Sequence, residues 1–202
     1  MCLLEWERIF YTQNIRVELM NKSRIGWCIH FSSYYLCWIA CFYFAAQNNV
    51  YLGPIIGFLI IAVQIVWQLI NRLPYLNALF FAFLIAFIGS LTDTIWLHQN
   101  YIYFKANPFS SYFTAPWMIC IWLSFGLNLI ILNEKFTRYY FIWFLLILFL
   151  MPFAYKIGAS CNIVVIEKSY PFYLSVGITW ALLLPISFYA YNYLKKTNRI
   201  NA

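Results

Sequence analysis

The chain has 202 residues, of which 64% are hydrophobic, 23% aromatic and only 9% charged. A soluble domain carries about 25% charged residues, so this composition speaks against one and fits a protein embedded in a bilayer. The net charge of +7 invites a nucleic-acid reading, but Lys and Arg are scattered between apolar segments, where such charges set orientation instead.

A spanning helix needs about 20 mostly apolar residues, and six runs qualify. Residues 1–24 precede them as a charged, loosely periodic cytoplasmic segment. It is either an amphipathic surface helix or an over-extended start, with Met20 as the true initiator. The runs are Ile25 to Ala46, Tyr51 to Ile70, Tyr75 to Leu97, Thr114 to Leu132, Tyr139 to Tyr155 and Pro171 to Tyr193, one transmembrane domain over residues 25–194. A basic tail, residues 195–202, follows. The first run lacks a small-residue cleavage site after it and reads as a retained span. The breaks carry turn chemistry, as in "AQNNVYLGP" and "QNYIYFKANPFSS". Pro54, Pro74, Pro116 and Pro171 fall near helix starts, where a missing N–H costs little. Pro152 and Pro185 lie inside spans and predict kinks or breaks, with Pro152 a point where the fifth span ends early.

With six spans, one side of the membrane holds Arg8, Arg16, Lys22, Arg24, Arg72, Lys135, Arg138, Lys195, Lys196 and Arg199, and the other only Lys105, Lys156 and Lys168. The positive-inside rule then puts both termini in the cytoplasm. The fold class is therefore all-α: a polytopic helical membrane protein of six transmembrane helices.

At a rise of about 1.5 Å per residue, the buried polar groups sort into two layers. His30, Gln64, Asn128 and Ser187 lie at similar depth below the cytoplasmic boundary, as one polar layer or as separate helix–helix hydrogen bonds. Near the outer boundary lie Asp93 in "AFIGSLTDTIWLH", Tyr155 and Lys156 closing the fifth span, and Tyr173 opening the sixth. An acid near a helix C-terminus opposes the macrodipole, and an intramembrane carboxylate points to a site with a partner. Lys156 is the candidate counter-charge, Tyr155 a donor, and Ser90, Thr92 and Thr94 local donors. A solvated Asp or a plain Asp–Lys clasp between helices is the structural alternative.

Six cysteines (Cys2, Cys28, Cys37, Cys41, Cys120, Cys161) fall mostly inside apolar runs without CxxC pairs, so neither a disulfide framework nor a zinc site follows from their spacing. No HExxH, GxSxG, phosphate-loop or dinucleotide pattern occurs. No cofactor and no metal are expected.

Trp38, "YLGP" at Tyr51 to Pro54, Asp93, "APW" at Ala115 to Trp117, Trp122 with Phe125, "MPFAYKIGA" at Met151 to Ala159, and Trp180 with Pro185 follow one another in a telling order. That order resembles an uncharacterised bacterial inner-membrane family, domain of unknown function 2878. The similarity runs from about Ile25 to the last span and supports Met20 as the start. The family pattern has an Asp on the third span, Pro-x-Trp opening the fourth and Pro-x-x-Tyr-x-x-Gly on the fifth. These map to Asp93, to the Pro116–Trp117 pair (here without the spacer), and to Pro152, Tyr155 and Gly158. Lys156 stands outside the pattern, which leaves Tyr155 the stronger partner. The resemblance implies a compact multi-span fold in the bacterial cytoplasmic membrane and implies no activity.

Three readings follow. In the first, Asp93, Trp117, Trp122, Tyr155, Lys156 and Trp180 build an outward-facing pocket that binds or passes a small or lipidic molecule, aromatics as walls and Asp93 as anchor. In the second, a lipid-modifying enzyme uses Asp93 as general base and Tyr155 as acid. In the third, the chain is an accessory subunit packed against a larger membrane partner.

Overall fold

The computed structural model describes residues 25–71, 75–110 and 112–200, with side chains described except at 75, 77, 130–137 and 194–200. The N-terminal segment, its expected surface helix and the choice of start lie outside the described residues. Among the described residues six helices follow one another: α1 (Ile25–Ala46), α2 (Leu52–Ile70), α3 (Tyr75–His98), α4 (Pro116–Arg138), α5 (Tyr140–Ser160) and α6 (Ser169–Ile200). Five of these are long and apolar enough to cross a membrane; in α4 the apolar stretch is Pro116–Leu129. Their outward faces are apolar as well, with Phe87 68% and Phe149 71% exposed. Apolarity around the whole circumference is the mark of a helix whose solvent is lipid.

The helix ends have local causes. Pro54 and Pro171 stand in first turns and Pro116 opens α4, where the absent N–H would have had no helical partner. At the opposite ends of α1, α3 and α5 stand Asn48, Asn100 and Asn162, each with φ between 54° and 61°. Asparagine tolerates this left-handed conformation. In each case two amide N–H groups turn back onto the last helical turn, as Asn100 to Leu97 and Tyr101 to Trp96 do after α3. Pro152 and Pro185 sit inside continuous helices, so α5 runs on to Ser160 and does not end early. The Leu148 carbonyl, four residues before Pro152, loses its helical donor there. Gly177 of α6 covers it so closely that a Cβ would stand 2.6 Å away.

Two three-residue strands add to the all-helical expectation: β1 (Ile102–Phe104) and β2 (Val164–Ile166) pair antiparallel, Tyr103 opposite Val165. They tie the α3–α4 connection to the α5–α6 connection. Lys105, just after β1, donates from Nζ to the Ala46 carbonyl at the end of α1 (2.8 Å). The ends of α1, α3 and α5 and the starts of α2, α4 and α6 thus gather at one end of the bundle. α4 is the central helix. It packs most extensively on α3, while its Cys120 reaches α1 and α2 and its Trp122 stacks on Trp180 of α6.

Candidate functional site

Asp93, in the penultimate turn of α3, is completely buried. Its carboxylate collects three donors from three further segments. Tyr155 of α5 donates its hydroxyl to Oδ1, Trp122 of α4 its indole N–H to Oδ2 at 2.8 Å, and Thr114 its hydroxyl to Oδ2 at 3.4 Å. None of the three is a cation. Lys156, the counter-charge expected from sequence, is exposed. One residue is about 100° on a helix, so the face that turns Tyr155 inward turns Lys156 out. The local donors go elsewhere: Thr92 and Thr94 bond to the carbonyls of Gly89 and Ser90 in their own helix, and the buried Ser90 hydroxyl has no partner among the described residues. Thr114 takes their place, held by its backbone N–H on Thr94 Oγ1 (3.2 Å).

The cage is built by packing. Trp122 lies flat against α3 at Gly89, where any Cβ would fall 2.4 Å from the ring. On its far side Trp122 stacks on Trp180, centroids 4.4 Å apart and planes 20° from parallel. Tyr155 is held edge-on by Trp96 and Phe172, at 5.9 and 5.2 Å between centroids. Offset and edge-to-face aromatic pairs are worth about 0.5–1.5 kcal/mol each beyond burial, so the donors approach Asp93 already oriented.

Tyr155 and Trp122 have a second face. Together with Tyr34, Trp38 and Phe42 of α1 and Trp117 and Phe125 of α4 they line a narrow cavity of about 50 Å³. It adjoins a wider hollow of about 330 Å³ that shares Tyr34, Trp38, Phe125, Met151 and Ala154. Tyr35, Leu150 and Phe153 border the hollow and are more than half exposed, so it opens between α1 and α5 onto the apolar outer surface. The indole N–H of Trp38, which lines both spaces, is buried without a partner among the described residues. Of the expected lining residues, Trp117, Trp122 and Tyr155 line the cavity. Asp93 stands behind Trp122 and Tyr155, Trp180 behind Trp122, and Lys156 points away. The contribution of α1 was missed, since nothing in sequence sets Trp38 opposite Trp122.

The inner layer divides. His30 pairs with the amides of Gln64 and, at 3.1 Å, Gln68, a residue not singled out from sequence although it lies one turn after Gln64. The other two members do not join it. Asn128 bonds to the Ser124 carbonyl and Ser187 to the Leu183 carbonyl, each in its own helix.

A bundle of span-length apolar helices closed around the buried Asp93 is an integral, multi-pass membrane protein of the helical class. The profile of the family described as protein of unknown function DUF2878 matches residues 27–186, and the chain belongs to that family. No curated protein and no solved structure matches it.

Proposed function

We propose that the chain binds or passes a small hydrophobic or lipidic molecule in the aromatic groove between α1, α4 and α5. The observation that carries this reading is the continuity of the groove. Its mouth is exposed Tyr35, Leu150 and Phe153, and its floor is Tyr155 and Trp122, the two residues that hold Asp93. A hydrophobic guest enters from the bilayer without crossing water, and a polar atom on it finds the unpartnered Trp38 N–H. Small-molecule sites combine apolar walls with few polar groups in this way. Asp93 orients Tyr155 and Trp122 and does not itself touch the guest.

The proposed topology has six spans with both termini cytoplasmic, in the bacterial inner membrane. The clustering of alternate helix ends at one end of the bundle supports it, as does the ten-to-three Lys and Arg imbalance between the two sides. That puts the Asp93 end in the outer leaflet.

Ala154 borders both spaces and is the natural plug. Purified in detergent, the wild-type chain retains a lipidic molecule detectable by native mass spectrometry, and Ala154→Phe loses it while keeping its helicity. Equal retention by both proteins overturns the groove reading.

A lipid-modifying enzyme remains the second reading, on one observation: Tyr155 touches both the carboxylate and the cavity, so Asp93 reaches a substrate through its hydroxyl. Lipid analysis of cells with and without the gene distinguishes the two. Altered acyl chains or head groups select the enzyme, and unaltered lipids select the carrier. An accessory-subunit role predicts that the chain co-purifies with a larger membrane protein whatever stands at Ala154.

A further inference from the structure

No zinc site follows from the spacing of the cysteines in the sequence, yet the fold brings three of them together. Cys37 and Cys41 stand one turn apart on α1, and Cys120 arrives from α4; all three are fully buried. Their sulfurs lie within 4.8 Å of one another, with Cys37 and Cys120 at 3.7 Å. Gly57 of α2 closes the remaining side. A Cβ there would fall 2.4 Å from Cys120 Sγ, 3.1 Å from Cys37 Sγ and 3.6 Å from Cys41 Sγ, so only glycine leaves the sulfurs their room. Apart from the other sulfurs, two of the thiols face distant carbonyls: Gly53 at 3.7 Å for Cys41 and Pro54 at 3.9 Å for Cys120.

We propose that Cys37, Cys41 and Cys120 form a binding site for a soft monovalent d¹⁰ ion, Cu(I). Three sulfurs bonded to one metal at about 2.3 Å stand about 4.0 Å apart, which these already approach. Thiolate donors select Cu(I), zinc and iron–sulfur clusters. A structural zinc ion requires a fourth ligand, and among the described residues no fourth His, Cys, Asp or Glu joins the group. The fourth side is the backbone of Gly57. Cu(I) is content with two or three sulfurs. Binding exchanges protons for the ion without any change of oxidation state: two thiols release their protons, two Cu–S bonds form, and the third sulfur completes the coordination as a neutral thiol. The site then carries a single negative charge, which a water-poor interior bears better than the two charges of a tris-thiolate. Buried cysteines are often small hydrophobes, but three from two helices converging on a glycine form a pocket of sulfur. This inference stands apart from the aromatic groove and does not depend on it.

The test uses the full chain in detergent with Cys2, Cys28 and Cys161 replaced by Ser, titrated with Cu(I) against a chromogenic Cu(I) chelator. The expected result is one Cu(I) per chain, a thiolate-to-copper charge-transfer band, and a higher thermal midpoint with copper than without. Cys37→Ala, Cys41→Ala and Cys120→Ala each weaken binding, and Cys37→Ala combined with Cys120→Ala, which leaves a single sulfur, abolishes it. Because a single variant can fail to fold, the midpoint of the three-cysteine chain is decisive on its own, and no rise on adding Cu(I) overturns the proposal. Copper binding by the wild-type chain that is lost when Cys2, Cys28 and Cys161 are replaced, or a Cys37–Cys120 disulfide recovered from the reduced preparation, overturns it too.

Discussion

Trp122 donates to Asp93 from directly above Gly89: the indole nitrogen reaches Oδ2 at 2.8 Å while the ring occupies the space of the missing Cβ one turn earlier on α3. Hydrogen bond and close helix approach are one arrangement, and neither exists without the other. Gly89→Ala therefore displaces the ring and lengthens the bond. Overpacking costs about 1–3 kcal/mol, and the loss of a donor to a buried carboxylate adds to it. The expected outcome is a lower thermal midpoint in detergent together with changed tryptophan emission. Wild-type values for both would refute the account of the seam.

Asp93 and Tyr155 are a coupled pair. Asp93→Asn puts an amide N–H₂ where a carboxylate oxygen accepts, so at least one of the three donors loses its acceptor; a buried unmatched donor costs about 1–3 kcal/mol. Tyr155→Phe removes one donor and costs about 1.5–3 kcal/mol if the carboxylate is charged. The double variant is expected to cost less than the sum, with a coupling of about 0.5–3 kcal/mol. Additive losses in a double-mutant cycle would mean that the contact is not energetically real.

The His30 cluster separates a paired network from a broken one, although the amide oxygens of Gln64 and Gln68 have no partner among the described residues. His30→Leu strands the amides of Gln64 and Gln68 in an apolar interior, at about 1–3 kcal/mol. Replacing His30, Gln64 and Gln68 together by Leu is expected to be nearly neutral, because no buried polar group is then left alone. By contrast Asn128→Leu and Ser187→Ala, whose bonds stay within their own helices, cost no more than the membrane average of about 0.6 kcal/mol. A triple variant less stable than His30→Leu would contradict this.

Topology is open to direct chemical labelling. Cys161 is exposed just after α5 and Cys28 is exposed in the first turn of α1. In intact cells carrying Cys2→Ser, a membrane-impermeant thiol reagent should modify Cys161 and spare Cys28. Protection of Cys161 with labelling of Cys28 would invert the orientation.

The groove and its acid were legible to different degrees. Asp93 announced itself as a carboxylate within an apolar run, and depth along the helices put Tyr155 near it. Lys156 was the natural counter-charge by the same count, and the α-helix set it aside because adjacent residues face different ways. Trp122 and Thr114 lie 29 and 21 residues from Asp93, and no periodicity reports which face of α4 meets α3. The inner layer shows the same limit. Equal depth brought His30 to Gln64, but Asn128 and Ser187 share the depth and turn back onto their own backbones.

From the sequence alone came six helical runs, because apolar length and first-turn prolines act within a few residues of themselves, while several ends moved, α5 running on to Ser160 and α6 starting at Ser169. The tertiary structure decided the partners. A buried polar or thiol group takes whatever donor, acceptor or sulfur the neighbouring helix presents, and that depends on helix rotation and approach. Gly89 under Trp122 and Gly57 beside three cysteines set these at positions far apart in the chain.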